Sequence, residues 1–341
     1  MIPRPIANPP NPWASTEVEY LEGAPEAQLE VYEDSTRNIL ASNDSPDIGF
    51  RWSVNPYRGC FHACAYCYAR PTHEYLSFGA GTDFDRKIMV KTHAAELLRE
   101  SFDRPSWRGE FVMFSGVTDC YQPLEASYRL TRQCLEVCAE YKNPLGIITK
   151  SPLVERDIDV LRRLNELTRV HVAVSIPFWD ADKARAIEPY VATPQRRIRI
   201  IEKLARAGIP TSVNVAPMIP GLCDEDIPSI LEAAAAAGAR SAAMVFLRLP
   251  GSVKIVFEER LRATLPLKAE RVLSRVREMR GGRLNDSRWG MRQRGEGPYA
   301  ASVQSLFDST ARRLGLDTHH DPAEETTFAR PPRKGTQLTL F

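Results

Sequence analysis

The chain has 341 residues, a formal net charge of +2, 43% hydrophobic residues and 26% charged ones, which excludes a disordered polyelectrolyte or a fibre and indicates a globular protein with a large core. No apolar run reaches the roughly 18 residues that a membrane span requires, so no membrane partner is expected. The proline-rich opening, MIPRPIANPPNPW, lacks the apolar stretch of a secretion signal, and seven cysteines is an odd count, so reduced thiols in a cytoplasmic protein are expected rather than a disulfide framework.

Residues 1–47 are polar and rich in proline, with little periodicity, and predict a surface arm that is partly disordered. From 48 to 250 the chain alternates between short β-rich runs and helical patterns. The runs are RWSVNPYRG (51–59), FVMFSGV (111–117), LGIITKS (145–151), VHVAVSIPF (170–178), PTSVNVAPMI (210–219) and SAAMVFLRL (241–249). The helical patterns fall at roughly 124–141, 152–167, 180–207 and 225–237. Thr193-Pro194 has the chemistry of a helix start, a hydroxyl cap followed by proline, and Gly208 and Gly238 stand where a helix would close. Such alternation builds βαβ units on a parallel sheet. The fold class expected is α/β, a partial (β/α)6 TIM-type barrel, with an open doubly wound sheet as the less favoured layout. Either layout puts function at the C-terminal ends of the strands. Residues 251–316 predict a basic helical extension: between Lys268 and Arg294 there are nine Lys or Arg against three Asp or Glu. Residues 317–341 are polar and predict a flexible tail.

Three cysteines stand out within GCFHACAYCY (59–68): Cys60, Cys64 and Cys67, spaced C-x3-C-x2-C on a loop after the first strand. Soft thiolates this close bind zinc or an iron–sulfur cluster. A structural zinc site wants four protein ligands, and His62 or His73 could supply the fourth. A [4Fe–4S] cube on three cysteines leaves one iron open to another ligand, and the flanking Tyr66 and Tyr68 would help keep a redox centre dry.

The cysteine segment resembles the signature of radical S-adenosylmethionine enzymes, and the resemblance covers about 48–250. It implies a [4Fe–4S] cluster on the three cysteines, S-adenosyl-L-methionine chelated at the open iron, an external electron donor, and a 5′-deoxyadenosyl radical that takes a hydrogen atom from the substrate. It also implies cofactor contacts at the ends of later strands. Ser115, Gly116 and Thr118 stand where the family's glycine-rich segment meets the methionine amino group. Lys150 ends the third strand and Ser175 the fourth, and PMIPG (217–221) matches a segment that packs on adenine.

Within the family, the cysteine motif with Lys150 and Ser175 is similar to the spore photoproduct lyase branch, whose members repair DNA. The cysteine with which that lyase returns a hydrogen atom is absent from Val112-Met113-Phe114, leaving Cys120 or Tyr121 as the expected donor. Cys134 and Cys138, spaced i, i+4, read as core, and Cys223 is open. The long arm and ARPTHEYL (69–76) are similar to a widespread, poorly characterised bacterial subgroup.

Two features point to a DNA substrate. QLTLF (337–341) resembles the pentapeptide by which replication and repair proteins dock on the bacterial sliding clamp, with Gln337 at the pocket rim and Leu338, Leu340 and Phe341 as apolar anchors. The stretch 268–294 mixes arginines with Trp289, a pairing suited to phosphates and bases. The alternatives are a radical enzyme acting on protein, RNA or a small molecule, and a zinc-stabilised nucleic-acid-binding module without catalysis.

Overall fold

The structure, a computed structural model, describes residues 28–318 and 326–332. Ten strands occur in chain order: β1 (Glu30–Glu33), β2 (Leu40–Ser42), β3 (Trp52–Val54), β4 (Tyr57–Arg58), β5 (Lys87–Val90), β6 (Val112–Phe114), β7 (Leu145–Thr149), β8 (Val170–Ser175), β9 (Thr211–Met218) and β10 (Ser241–Phe246). Six of them, β3-β6-β7-β8-β9-β10, pair in parallel in the order of the chain. Helices Ala94–Asp103, Leu130–Glu140, Ile158–Leu167, Pro194–Arg206 and Ile227–Ala236 connect them. This is the expected partial (β/α)6 barrel, with a sheet that does not close. Leu145, Gly146 and Ile147 are buried in succession, as are Val172, Ala173 and Val174, because both faces of a parallel sheet are covered.

Local chemistry sets the boundaries. Thr193 caps Pro194–Arg206 by accepting from the Arg196 amide at 3.3 Å. Gly208 and Gly238 end their helices at φ +79° and +96°, in the left-handed region that favours glycine. The pattern over 180–207 resolves into two helices, Ala181–Ile187 and Pro194–Arg206. Between them Glu188 turns inward to pair with the buried Arg197. The run 51–59 likewise breaks at Asn55-Pro56, and β4 leaves the barrel to pair with β5.

The arm is more ordered than its composition suggests. β2 pairs antiparallel with β3 and extends the main sheet, while β1 pairs with β5 in a second, three-stranded sheet. Residues 1–27 lie outside the described residues. The extension contributes helices Val253–Thr264, Pro266–Glu278 and Gly297–Arg313, and its Phe257, Leu261, Val272, Val276 and Phe307 join the barrel's hydrophobic cluster. Asp317 bridges to the edge of β10: its carbonyl accepts from the Ala242 amide and its amide donates to the Arg240 carbonyl. This shields part of an edge that would otherwise offer unpaired backbone groups.

Part of the supposed tail is docked. Residues 326–332 cross the segments preceding β6, β7 and β8, at the N-terminal ends of the barrel strands. The Phe328 ring lies 6.0 Å from Phe102 and 6.1 Å from Tyr141. Arg330 donates to the carbonyls of Phe102, Arg104 and Trp107 at 3.0, 2.6 and 2.9 Å. Thr326 and Thr327 bond the carbonyls of Gly109 and Lys142, and the Ala329 amide donates to the Tyr141 carbonyl. We expect Phe328→Ala to lower stability by about 1–2 kcal/mol, the scale for losing a half-buried ring, measured by urea denaturation. An unchanged midpoint would mean that the segment contributes nothing to the fold.

Candidate active site

The three cysteines lie at the C-terminal side of the sheet, on the loop that follows β4. None is in a disulfide; Cys60 and Cys64 are buried and Cys67 is half-buried. The loop is held from within. Arg70, fully buried, donates from Nε to the Cys64 carbonyl at 3.0 Å, from one terminal nitrogen to the Ala80 and Gly81 carbonyls at 2.9 Å, and from the other to Asp85 at 2.8 Å. Gln122 and Thr118 grip it from the β6 side: both donate to the Gly59 carbonyl, at 3.1 and 2.8 Å, and Gln122 Oε1 accepts from the Phe61 amide. Gly59 has φ +78°, and a Cβ there would lie 2.9 Å from the His73 ring and the Phe84 carbonyl, so only glycine fits.

The donor chemistry fits a cluster. The thiols are near enough to act on one another electrostatically, since burial pushes the Cys64 thiol well above its ordinary value, and Cys60 and Cys67 add to that. Burial pushes Cys67 up to about 11. Burial also opposes ionisation of Cys60, but His62 outweighs it and holds that thiol below its ordinary value. Among the described residues no three His, Cys, Asp or Glu side chains converge tightly enough for a single metal ion. Three soft thiols on one loop match a cluster that keeps one iron open. His73 packs behind Gly59 and bonds the Lys87 carbonyl at 2.8 Å, and His62 faces Asp119 at 3.4 Å.

The remaining expected residues divide into two groups. Ser115, Gly116, Lys150 and Ser175 all stand at the C-terminal ends of strands beside the cysteine loop. Ser115 has φ +76°, an uncommon conformation for a residue with a side chain, and its Oγ accepts from the Cys120 amide at 2.9 Å. Gly116 is packed so closely that a Cβ would lie 3.0 Å from Ser53 Cβ. The Gly116 carbonyl accepts a hydrogen bond from Tyr68, so Tyr68 reaches from the cysteine loop across to the end of β6. The Lys150 ammonium lies 5.8 Å from the Tyr66 ring and pairs with no carboxylate among the described residues. The Ser175 carbonyl accepts from Arg197 at 3.0 Å, which ties it to the Glu188–Tyr66 pair under the loop.

Thr118, Cys120 and Tyr121 are placed otherwise. The Thr118 hydroxyl holds the cysteine loop through Gly59. Cys120 is fully buried in the main hydrophobic cluster. Tyr121 is fully buried too, and its hydroxyl donates to Asp157 at 3.1 Å, inside an ion-pair network with Arg132, Arg156 and Glu125. Cys134, Cys138 and Cys223 are core residues. In PMIPG, Met218 and Ile219 are buried, and the Gly221 amide bonds the Tyr299 hydroxyl of the extension at 3.0 Å.

One organising residue escaped the sequence reading. Asp119 accepts from Thr149 Oγ1 and the Lys150 amide, both at 2.8 Å, and from the Tyr121 amide at 2.9 Å, and it faces His62. It thus joins the ends of β6 and β7 to the cysteine loop. Burial opposes its charge, but His62 and the amides hold its carboxyl down at about 2. The available signal was a carboxylate two residues past the predicted run 111–117, where such a group faces the mouth of a barrel.

The family description "Radical SAM superfamily" matches residues 54–234. The chain belongs to the radical S-adenosylmethionine superfamily, whose enzymes use S-adenosylmethionine with an iron–sulfur cluster. It is 38% identical over 298 residues to an uncharacterised protein of Mycobacterium tuberculosis, covering 86% of this chain and 83% of that one. It is 25% identical over 289 residues to the radical SAM Nalpha-GlyT isomerase of Pseudomonas phage M6, covering 84% of this chain and 56% of that protein. In fold it is similar to spore photoproduct lyase complexed with dinucleoside spore photoproduct, with a TM-score of 0.61 at 15% identity over 84% of this chain and 80% of the lyase. Among the described residues no helix is long and apolar enough to cross a membrane.

Proposed function

We propose that this radical SAM enzyme holds a [4Fe–4S] cluster on Cys60, Cys64 and Cys67, cleaves S-adenosyl-L-methionine with an electron from an external donor, and acts on DNA in repair or modification, as a lyase or a related activity, in the cytoplasm. The observation that carries the reading is the set of three unpaired cysteines clustered on one loop, beside the strand ends that carry Ser115, Lys150 and Ser175. When bound, the cluster supplies one electron to the sulfonium, giving methionine and a 5′-deoxyadenosyl radical that removes a hydrogen atom from the substrate.

The protein's own part is to bind and orient. Lys150 holds the methionine carboxylate, a role suited to an ammonium that pairs with no carboxylate among the described residues. The Ser115–Gly116 segment meets the amino group, and its left-handed turn and close packing keep it rigid. Ser175 contacts the ribose or carboxylate, while Tyr66, Tyr68 and the Arg70 scaffold limit water around the cluster.

The DNA reading is supported by the fold likeness to an enzyme described with a dinucleoside spore photoproduct. The basic stretch lends less than its composition suggests. Arg275 pairs with Glu278, Arg288 with Asp286 and Glu296, and Arg292 with Asp47, while Arg280 is buried against the Leu247 and Met291 carbonyls. Docking on the sliding clamp through Gln337, Leu338, Leu340 and Phe341, which lie outside the described residues, completes the proposal.

The test follows cofactor turnover by anaerobic, reduced protein with ultraviolet-damaged DNA, undamaged DNA or no DNA. DNA is expected to raise 5′-deoxyadenosine release and to transfer deuterium from labelled nucleotides into it. Turnover indifferent to every DNA tested would favour a protein, RNA or small-molecule substrate. Deleting residues 337–341 is expected to remove clamp binding and to leave that turnover unchanged; retained clamp affinity would defeat the docking proposal.

A further inference from the structure

Arg248 is half-buried after β10, at the C-terminal end of the sixth parallel strand; Arg260 shares its unpartnered Nε, but the Asp85 carboxylate acts on Arg260. Arg70, Arg197 and Arg280 each donate to several carbonyls or to a carboxylate. The Nε of Arg248 is buried with no hydrogen-bond partner, and no carboxylate pairs with its guanidinium among the described residues. Asp47, whose charge reaches it, is already occupied by Arg292 and by the Gly290 amide. What Arg248 does touch is the Tyr68 ring, whose centre lies 5.8 Å from the guanidinium carbon. Tyr68 adjoins Cys67, is 52% exposed, and reaches across to the Gly116 carbonyl. A guanidinium whose buried donor lacks an acceptor, set against an exposed ring beside the cysteine loop, has the chemistry of an anion site that a ligand's acceptor would complete.

A phosphodiester strand suits both halves of this pair. Its phosphate oxygens match the planar fork of arginine, and its bases offer faces to an exposed aromatic ring. Trp289, 60% exposed, lies on the loop that packs against the end of β10 through the Phe246 and Leu249 amides. We propose that Arg248 is a substrate-recognition residue that binds a phosphate of a single nucleic-acid strand laid across the barrel mouth, with Tyr68 as the adjoining base platform. This rests on the nucleic-acid reading above and narrows it to a strand with an accessible backbone and unpaired bases.

The experiment measures fluorescence anisotropy of a labelled single-stranded oligodeoxynucleotide with anaerobically reconstituted full-length protein, titrated at several salt concentrations. Compared are the wild type, Arg248→Gln, Arg248→Lys and the distant surface variant Arg206→Gln, with iron content and circular dichroism establishing that each is folded. Arg248→Gln is expected to weaken binding about tenfold and to make the salt dependence shallower by about 0.7 in logarithmic slope, the share of one phosphate on a single strand. Arg248→Lys is expected to keep the slope while losing part of the affinity, and Arg206→Gln to match the wild type. Wild-type affinity and slope in Arg248→Gln would overturn the assignment while leaving a nucleic-acid substrate standing. Failure of the wild type to bind any oligonucleotide would overturn both, and a measurement of cofactor cleavage alone would show whether the radical chemistry survives.

Discussion

Cys64→Ala protein, purified without oxygen, is expected to be colourless, to carry less than one iron atom per chain where the wild type carries about four, and to release no 5′-deoxyadenosine above background. The expectation follows from the geometry of the loop. Cys64 is the middle ligand of three, its thiol is buried, and the side chains around it offer no replacement thiolate. Cys138→Ala is the matched control, because Cys138 is buried in helix Leu130–Glu140 and belongs to the core rather than the loop. A Cys64→Ala protein that kept its iron and its turnover would mean that the cysteine loop is not the metal site.

The largest effect on stability is expected at Arg70. Its side chain is 1% exposed and serves four acceptors at once: three carbonyls of the loop and its surroundings, and the Asp85 carboxylate. Arg70→Ala leaves that carboxylate buried without its cation and the carbonyls without donors, a loss of about 3–5 kcal/mol. Urea denaturation of the metal-free protein under reducing conditions measures it. Arg70→Lys should recover little, because a single ammonium cannot reproduce the planar fork that reaches acceptors on three sides. A denaturation midpoint within error of wild type in Arg70→Ala would show that the loop keeps its shape by other means.

The barrel was legible because its strands are nearly continuous apolar runs, and because Thr193-Pro194, Gly208 and Gly238 mark helix ends with the chemistry that ends require. The grouping of the three cysteines was legible from spacing alone, since the three thiols share one short loop. What stayed hidden depends on partners far apart in the chain. Asp119 matters through His62, Thr149 and Lys150, and none of these is its sequence neighbour. Arg70 and Arg197 read as surface cations until their buried acceptors are seen. Cys120 and Tyr121 sit at a plausible position in sequence, but the turn after β6 directs both into the core. Residues 326–332 look like tail because two threonines and two prolines surround one phenylalanine, yet Phe328 and Arg330 find a ring cluster and a row of carbonyls.

That last segment sets the polarity of the molecule. It crosses the side of the barrel remote from Cys64, Lys150 and Arg248, so everything beyond Pro332 starts from the floor of the barrel. Four residues separate Pro332 from Gln337, so five residue steps span at most about 18 Å when fully extended. Anything that grasped the chain there would hold it by its base, as a lamp is held by its foot, and would leave the illuminated side unshadowed. Anchorage and chemistry would then need no taking of turns, and a long substrate would have to bend around the body of the enzyme to meet both at once.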